Sequence, residues 1–321
     1  MSKSVLKRAI RLCLPVSVIV GCTIATPSSE IIVGSGGARP AGWLADGSKL
    51  LVDSVIQGDH VIEIDGRSIS RSSSPWNSSQ TERASVFWSP DGLSILLERT
   101  EYGDQCINVN PPCNNLFRLD TPWQSASLIV SSIGMSAPAW SPDSQQFAVM
   151  VDTDLRIYNR DGQHYREVYV NTIPAHLAWS PDGRLIALSD DREVKLIDLG
   201  TDELVETGGF PRDGIQPTWS PNGKYIAYIQ PSGFTTEGDL VVTSLNGQIQ
   251  LTLAGSEDSS PPQADTSRYL YRLPMWSPRG DYIAVSRVNS NAPEEPTERY
   301  KWYETVLIPV PDDLKSGAVG E

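Results

Sequence analysis

The chain has 321 residues and carries 39 acidic against 26 basic side chains, which gives a formal net charge of −13 at pH 7. This excess argues against nucleic-acid binding, which depends on neutralising phosphates with Lys and Arg, and against electrostatic docking on anionic lipid headgroups. It fits a soluble, non-adhesive surface or a basic partner.

The first residues have the pattern of a secretion signal. Four basic residues precede an apolar run at 12–20, and this run is shorter than the roughly 20 residues that a membrane-spanning helix needs. We therefore predict that residues 1–21 are a signal peptide. Because this segment holds four basic and no acidic residues, its removal lowers the formal charge from −13 to −17.

One short phrase, close to Trp-Ser-Pro-Asp-Gly, occurs six times along the chain. The copies are Gly42–Gly47, Phe87–Gly92, Ala139–Ser144, Ala178–Gly183, Thr218–Gly223 and Met275–Gly280. Their tryptophans are 45, 52, 39, 40 and 57 residues apart. A period of this size is typical of stacked supersecondary units.

The phrase itself predicts a β-hairpin. Ser-Pro-Asp-Gly suits a type I turn, with proline fixing φ at its second position and glycine closing it. An apolar run follows each copy, as in Tyr225–Ile229, and its near-continuous hydrophobicity indicates a strand covered on both faces. A third and a shorter fourth strand follow in most units.

These units predict an all-β fold, a six-bladed β-propeller of four-stranded antiparallel blades that spans residues 30–310. The tryptophan strand is expected to be innermost in each blade, and residues 311–321 are expected to form a C-terminal tail. A β-sandwich is the alternative.

Residues 30–33 form a spare apolar strand that we expect to close the ring beside the last blade. Ser144 replaces the usual turn glycine, so a positive φ there would favour Ser144→Gly.

The repeated phrase and the apolar strand behind it resemble the TolB-type, WD-like β-propeller repeat of bacterial extracytoplasmic proteins. The resemblance covers about residues 30–310, but TolB has an α/β domain ahead of its propeller and this chain has only a short segment there. The resemblance therefore implies a fold, and TolB's role is not carried over whole.

Residues 19–22 resemble the lipobox of bacterial lipoproteins. This resemblance implies cleavage before Cys22 and attachment of lipid, including palmitate, to that residue. Residues 22–29 would then be a lipidated tether to a membrane, which would be the outer membrane if the cell has two. An ordinary signal peptide with a chance cysteine is the alternative.

Two further cysteines, Cys106 and Cys113, stand close together in the sequence. Outside the cytoplasm such a pair is expected to form a disulfide. A metal site is the rival, but no further soft ligand stands near and the three histidines are isolated in sequence. Acidic pairs at strand ends, such as Asp152 with Asp154 and Asp190 with Asp191, could hold calcium but are usually only solvated. We therefore expect no metal and no cofactor.

No catalytic motif stands out in the sequence. It lacks the Gly-x-Ser-x-Gly elbow of hydrolases and a phosphate-binding loop. Three functions stay open: a membrane-tethered module that binds a protein or an envelope polysaccharide, a propeller enzyme that acts on glycans, and a structural lipoprotein without a ligand. The binding module is favoured. A His–Arg–carboxylate cluster in the central channel would favour the enzyme.

Four long connecting segments, 71–84, 100–114, 254–272 and 288–301, are expected to meet on one face of the propeller. Long loops on a rigid scaffold are where binding residues concentrate, and aromatic and arginine side chains are common anchors of interfaces. The predicted partner-binding residues are Trp76, Tyr102, Arg268, Tyr269, Tyr271, Arg272, Tyr300 and Trp302. Locally packed aromatic side chains in neutral insertions are the alternative.

Overall fold

The all-β fold predicted from the sequence is confirmed. The computed structural model describes residues 30–54, 59–65, 68–73, 84–101, 106, 112–121, 125–170, 176–190, 193–205, 214–231, 236–255, 269–293, 295 and 299–316. Within these residues the chain forms 24 β-strands, a 3-10 helix at Tyr300–Trp302 and one α-helix, α1, at Asp312–Ser316. Neither described helix has the length and apolar character needed to cross a membrane.

Each copy of the repeated phrase ends one strand and turns into the next, as predicted. In the second copy, the Gly92 N–H donates to the Ser89 carbonyl and the Ser94 N–H donates to Ser89 Oγ, both at 2.9 Å. The Asp91 carboxylate accepts from the Ser89 hydroxyl and the Leu93 N–H. Serine and aspartate thus satisfy the backbone donors of the turn, which accounts for their recurrence.

Four separate antiparallel sheets each contain four strands in chain order. The first is β2 (Ala38–Trp43), β3 (Lys49–Ser54), β4 (His60–Asp65) and β5 (Ser68–Ser73); the second is β6 (Ala84–Trp88), β7 (Ser94–Glu101), β8 (Cys113–Asp120) and β9 (Ala126–Ser132); the third is β10 (Ala139–Trp140), β11 (Gln146–Val151), β12 (Asp154–Asn159) and β13 (His164–Tyr169); the fourth is β14 (His176–Trp179), β15 (Leu185–Ser189), β16 (Val194–Asp198) and β17 (Glu203–Val205). These four sheets form the regular, propeller-like part of the molecule.

The other eight strands form one curled sheet in the order β1-β24-β23-β22-β20-β19-β18, with β21 also paired to β20. Their bounds are β1 (Ile31–Gly34), β18 (Ile215–Trp219), β19 (Tyr225–Pro231), β20 (Gly238–Ser244), β21 (Gln250–Ala254), β22 (Tyr269–Trp276), β23 (Tyr282–Asn289) and β24 (Glu304–Pro309). The prediction of six separate blades is therefore wrong: the fold has four blades and one eight-stranded sheet.

The pairing of Gly238 with Tyr271 joins β20 to β22 and overturns the six-bladed prediction. A Cβ on Gly238 would lie 1.8 Å from the Gln230 carbonyl oxygen, so β20 can begin this close to β19 only with glycine. The sequence repeat marks turns and apolar strands, and it carries no signal for a backbone pair between neighbouring units.

The tryptophan-bearing strands β2, β6, β10, β14, β18 and β22 lie around the centre of the molecule, and each contacts the next in a closed ring. This agrees with the expectation that they are innermost. Apolar side chains of successive sheets pack between these strands, as where Val86 and Trp88 of β6 pack with Ala41 and Leu51 of the preceding sheet.

The ring closes through the N-terminal strand, as predicted. β1 pairs antiparallel with β24, with Ile31 opposite Leu307. The Glu30 carboxylate just before β1 accepts hydrogen bonds from the Tyr271 hydroxyl at 2.7 Å and from Arg287. Arg287 also donates to Glu304 at 3.1 Å. We call Glu30, Tyr271, Arg287 and Glu304 the closure cluster.

Candidate functional site

A cavity of about 760 Å³ runs along the inner faces of the six tryptophan strands. One end, here called the turn end, is lined by the turn prolines Pro90, Pro142, Pro181, Pro221 and Pro278. The opposite end, here called the strand-start end, lies where these strands begin. Its polar lining residues are Arg39, Glu98, His176 and Gln216. The cavity therefore joins an apolar end to a charged one.

The walls of the cavity are held together by the indole groups of the repeat. The Trp140 N–H donates to the Phe87 carbonyl at 3.2 Å, and the Trp179 N–H donates to the Ala139 carbonyl at 3.0 Å. In the same way, the Trp219 N–H donates to the Ala178 carbonyl, and the Trp43 N–H donates to the Met275 carbonyl. Each of these four tryptophans links its sheet to the preceding one in the ring. The sequence showed their spacing but did not reveal this role.

Glu98 is the carboxylate of the strand-start end. It lies on β7 opposite Ser85, and loss of hydration on burial raises the pKa of its carboxyl to about 7, an effect that the nearby positive charge of Arg39 opposes. Arg39 itself donates from Nε and Nη2 to Asp53 at 2.7 and 2.5 Å. Glu98 therefore changes its charge near neutral pH.

His176 is the first residue of β14 and lines the same end. Burial is the main cause that lowers the pKa of its imidazole to about 4, and the positive charge of Arg272 adds to the shift. His176 is therefore neutral at physiological pH, where it can accept or donate a hydrogen bond without carrying charge.

Arg272 lies behind the cavity wall. Its guanidinium carbon stands 3.5 Å from the centroid of the Tyr303 ring, a cation–π contact. Burial is the largest cause that lowers the pKa of Arg272, to about 10, and repulsion from Arg39 contributes. Within the described residues the Arg272 Nε has no hydrogen-bond partner. Behind it, Arg299 pairs with Glu237 at 2.6 Å.

Gln216 is held in a strained backbone conformation. Its φ is 58° and that of Leu273 is 54°, in the left-handed region that residues other than glycine seldom adopt. The Gln216 N–H donates to Ser189 Oγ at 3.0 Å, and its side-chain oxygen accepts from the Leu273 N–H at 2.5 Å. The side-chain oxygen of Gln216 is thus bonded to the cavity wall. The NH2 group of the same amide supplies the hydrogen-bond donors that Gln216 can offer to a ligand. Strain of this kind is concentrated at functional sites.

The predicted partner-binding residues differ in their surroundings. Trp76, Tyr102 and Arg268 lie outside the described residues, as does the side chain of Tyr300. Tyr269 stacks under the Arg287 guanidinium at 4.2 Å. Tyr271 is only 4% exposed and belongs to the closure cluster.

Trp302 and Arg272 are the other residues of this set with described side chains, and Trp302 is 53% exposed. Arg272 is held against Tyr303, as described above. Tyr269, Tyr271 and Arg272 thus make intramolecular contacts, whereas Trp302 presents its indole to solvent.

The strand ends that flank the four long segments lie at the strand-start end. Antiparallel strands alternate in direction, so the chain enters each tryptophan strand and leaves each second strand on the same face. The disulfide between Cys106 and Cys113 is confirmed, with a Cα–Cα distance of 5.7 Å, and Cys113 begins β8 on this face. The predicted lipidation site, Cys22, lies outside the described residues.

No group of three or more His, Cys, Asp and Glu side chains that could hold a metal ion occurs within the part of the chain that the structure describes. Asp152 and Asp154 lie at the turn between β11 and β12, and Asp191 is outside the described residues. Asp152 and Asp154 therefore do not belong to such a group, and the pair of Asp190 with Asp191 cannot be described.

Comparisons with solved structures show propeller folds. The chain is similar to an oligogalacturonate lyase in complex with manganese, with a TM-score of 0.55, 14% identity, and coverage of 91% of this chain and 96% of that one. It is also similar to an oligogalacturonate lyase from Vibrio parahaemolyticus, with a TM-score of 0.51, 14% identity, and coverage of 90% and 93%. At these identities the likeness shows the fold alone.

TolB from Acinetobacter baumannii matches with a TM-score of 0.45 and 15% identity, over 86% of this chain and 65% of TolB. Among curated proteins, the chain is 22% identical over 156 residues to the uncharacterized peptidase YuxL of Bacillus subtilis (strain 168). That match covers 48% of this chain and about a fifth (22%) of the relative's length. No family model matches the sequence.

Proposed function

We propose that this protein is an extracytoplasmic lipoprotein, anchored through lipid on Cys22, whose propeller-type fold binds an envelope protein or an envelope polysaccharide. The observation that carries the proposal is the cavity of about 760 Å³ that begins at the strand-start end. Large apolar cavities with a few convergent polar groups and perturbed pKa values are the preferred candidates for binding sites. The flanks of the four long segments lie on the same face, so the partner would meet loops and cavity together.

A glycan-acting enzyme is the second candidate. The cavity is lined by a histidine, an arginine and a carboxylate, which is the combination that the sequence analysis named as favouring an enzyme. The likeness to the lyases, at 14% identity, concerns the fold alone. The peptidase relative is matched over only 22% of its length, and this chain lacks the Gly-x-Ser-x-Gly elbow. Binding is therefore the function we propose.

The first test blocks the cavity. Ala137 lines it, and Ala137→Trp fills the space with an indole, whereas Ala126→Trp makes the same change on the exposed face of β9. We expect the mature protein and Ala126→Trp to capture the same component from solubilised envelope or sedimented envelope polymer, and Ala137→Trp to lose it. Thermal unfolding checks that both variants are folded. Equal capture by all three proteins would contradict the proposal.

The second test separates the loop surface from the cavity. The structure makes a combined alanine substitution of Tyr269, Tyr271 and Arg272 a poor test, because Tyr271 belongs to the closure cluster and its loss would destabilise the fold. Trp302→Ala removes an exposed side chain and should weaken capture without lowering the melting temperature. Leu204→Ala, on the exposed strand β17, is the matched control.

The anchor is tested by labelling. Cys22→Ala should abolish incorporation of radiolabelled palmitate and move the protein out of the membrane fraction. Cys13→Ala, within the predicted signal peptide, should leave both unchanged. Palmitate incorporation that survives in Cys22→Ala would show that this residue is not the lipid anchor.

A further inference from the structure

Arg39 lines the strand-start end, and its positive charge acts on Arg272 together with that of Arg299. Arg39 is paired with Asp53, and Arg299 with Glu237. Arg272 adds a third cation, which rests on the face of Tyr303. Glu98 lies close enough to Arg39 for the positive charge of Arg39 to act on its carboxyl.

The cavity lining supplies hydrogen-bond donors at this end. The Arg39 side chain is 29% exposed and lines the cavity beside Glu98. Gln216 lines it as well, with its amide oxygen already bonded to the Leu273 N–H and its NH2 group at the other end of the amide. A protonated Glu98 would be a third donor.

The rest of the lining is apolar. Met135, Ala137 and Pro138 lie near this end, and the alanine, proline and tryptophan side chains of the repeats continue the wall toward the turn end. A ligand that fills the space would thus place an apolar or aromatic body against the walls and its polar group among the donors.

We propose that the strand-start end binds the carboxylate of a small ligand with an apolar body, held by Arg39, the Gln216 amide and Glu98. This inference rests on the proposed binding function and names its ligand class. A carboxylate would be attracted to the Arg39 guanidinium and would accept hydrogen bonds from the donors at this end, whereas Arg39 would repel a cation.

Binding should be coupled to proton uptake. A bound carboxylate repels ionised Glu98 and accepts a hydrogen bond from the protonated form, so the ligand raises the affinity of Glu98 for its proton. Because the pKa of Glu98 in the free protein is about 7, the dissociation constant should rise about tenfold from pH 6 to pH 8. His176, whose pKa is about 4, stays neutral in this range, and Arg272, whose pKa is about 10, stays charged.

The probe is 2-naphthoate, compared with its uncharged analogue 2-naphthamide, by isothermal titration calorimetry of the mature protein at pH 6 and pH 8. We expect naphthoate to bind at least tenfold more tightly than naphthamide at pH 6. Its affinity should be about tenfold lower at pH 8 than at pH 6. Titrations in two buffers of different ionisation enthalpy should show proton uptake. Equal affinity for the two probes, or no measurable naphthoate binding at either pH, would overturn the proposal.

Two variants locate the site. Glu98→Gln should retain naphthoate binding, but the binding should no longer depend on pH. Gln216→Glu keeps an oxygen for the Leu273 N–H, and its affinity for naphthoate should be at least about tenfold lower because the new carboxylate repels that of the ligand. Glu203→Gln, at an exposed position on β17, should behave like the wild type. A pH dependence that persists in Glu98→Gln would refute the role of Glu98.

The outcome is separable from that of the proposed function. If Ala137→Trp abolishes envelope capture and the unsubstituted protein fails to bind naphthoate, the proposed binding function is supported and the proposed carboxylate site is refuted. If naphthoate binds as described while envelope capture is equal in all variants, the proposed carboxylate site is supported and the proposed envelope-binding function is refuted.

Discussion

The two ends of the cavity are built from the same strands but differ in almost every physical property. At the turn end, four of the six turns satisfy their own backbone donors through a serine and an aspartate or asparagine, as Ser220 and Asn222 do. At the strand-start end, Gln216 and Leu273 have positive φ and irregular pairing interrupts β18 and β22. Regular, self-satisfied turns stabilise the ring, and departures from the repeat mark the end that carries charged groups.

The closure cluster supports the strand-start end, and its loss is the largest effect that we predict. Deleting residues 30–33 removes both β1 and the Glu30 partner of Arg287, which is only 9% exposed. Arg287 keeps its bonds to Glu304, but Arg287 and the buried Tyr271 hydroxyl both lose Glu30 as an acceptor, and each broken buried hydrogen bond costs about 1–3 kcal/mol. We expect a large fall in the melting temperature, measured by calorimetry, whereas trimming residues 23–28 should have little effect. Equal effects of the two deletions would contradict the closure.

Glu98→Gln should show that the ionised Glu98 carboxylate destabilises the folded protein. Burial raises the pKa of this carboxyl from 4.5 to about 7. The folded state therefore binds the proton more tightly than the unfolded chain, so stability falls as pH rises from about 4.5 to about 7 and is constant above. Glutamine mimics the protonated form and should raise the free energy of unfolding at pH 8 by up to about 3 kcal/mol.

The measurement is urea unfolding at several pH values. Near pH 4 the variant and the wild type should be nearly equal, because Glu98 is then mostly protonated in both states. Glu203→Gln serves as the control and should have no effect at any pH. A stability difference that does not change with pH would mean that Glu98 does not titrate in this range.

A third comparison concerns the tryptophans that link neighbouring sheets. Trp140→Phe removes the N–H donor to the Phe87 carbonyl and should destabilise the fold by about 1–3 kcal/mol, because that carbonyl loses its partner and the ring is smaller. Trp302→Phe changes an exposed ring and should be nearly neutral. Equal shifts in urea unfolding would show that the Trp140 N–H contributes nothing.

The regular part of the molecule could be predicted from the sequence because it repeats. The turns, the apolar second strands, the central position of the tryptophans and the pairing of β1 with β24 all follow from local pattern and strand count. The merging of two strand groups into one sheet could not, because it depends on the close backbone approach of Gly238 to Gln230. A single glycine in a sequence does not show what lies against it.

The charged end escaped prediction for a related reason. Arg39, Glu98, His176 and Gln216 come from four sheets and share no sequence motif, so only the ring brings them together. Conversely, Tyr271 matched the composition of a binding anchor but is buried in the closure cluster. Composition identifies residue types that bind partners, and burial decides which of them can.

Ser144 tests the turn end with the smallest expected effect. It is the one copy of the repeat without the closing glycine, and its φ of 59° confirms the strain expected from the sequence. Its hydroxyl oxygen also accepts the Asp91 N–H of the neighbouring sheet at 3.0 Å. Ser144→Gly therefore relieves about 0.4–1 kcal/mol of strain but loses a hydrogen bond worth about 0.5–1.5 kcal/mol.

We accordingly expect Ser144→Gly to be neutral or slightly destabilising in urea unfolding, instead of stabilising as the turn pattern alone predicts. Ser144→Ala is the matched control, because it loses the same hydrogen bond and keeps the strain, and it should be less stable than Ser144→Gly by up to about 1 kcal/mol. If Ser144→Gly were clearly more stable than the wild type, the bond to Asp91 would contribute little and backbone strain would dominate this turn. Equal stability of the glycine and alanine variants would show instead that the left-handed conformation costs nothing here.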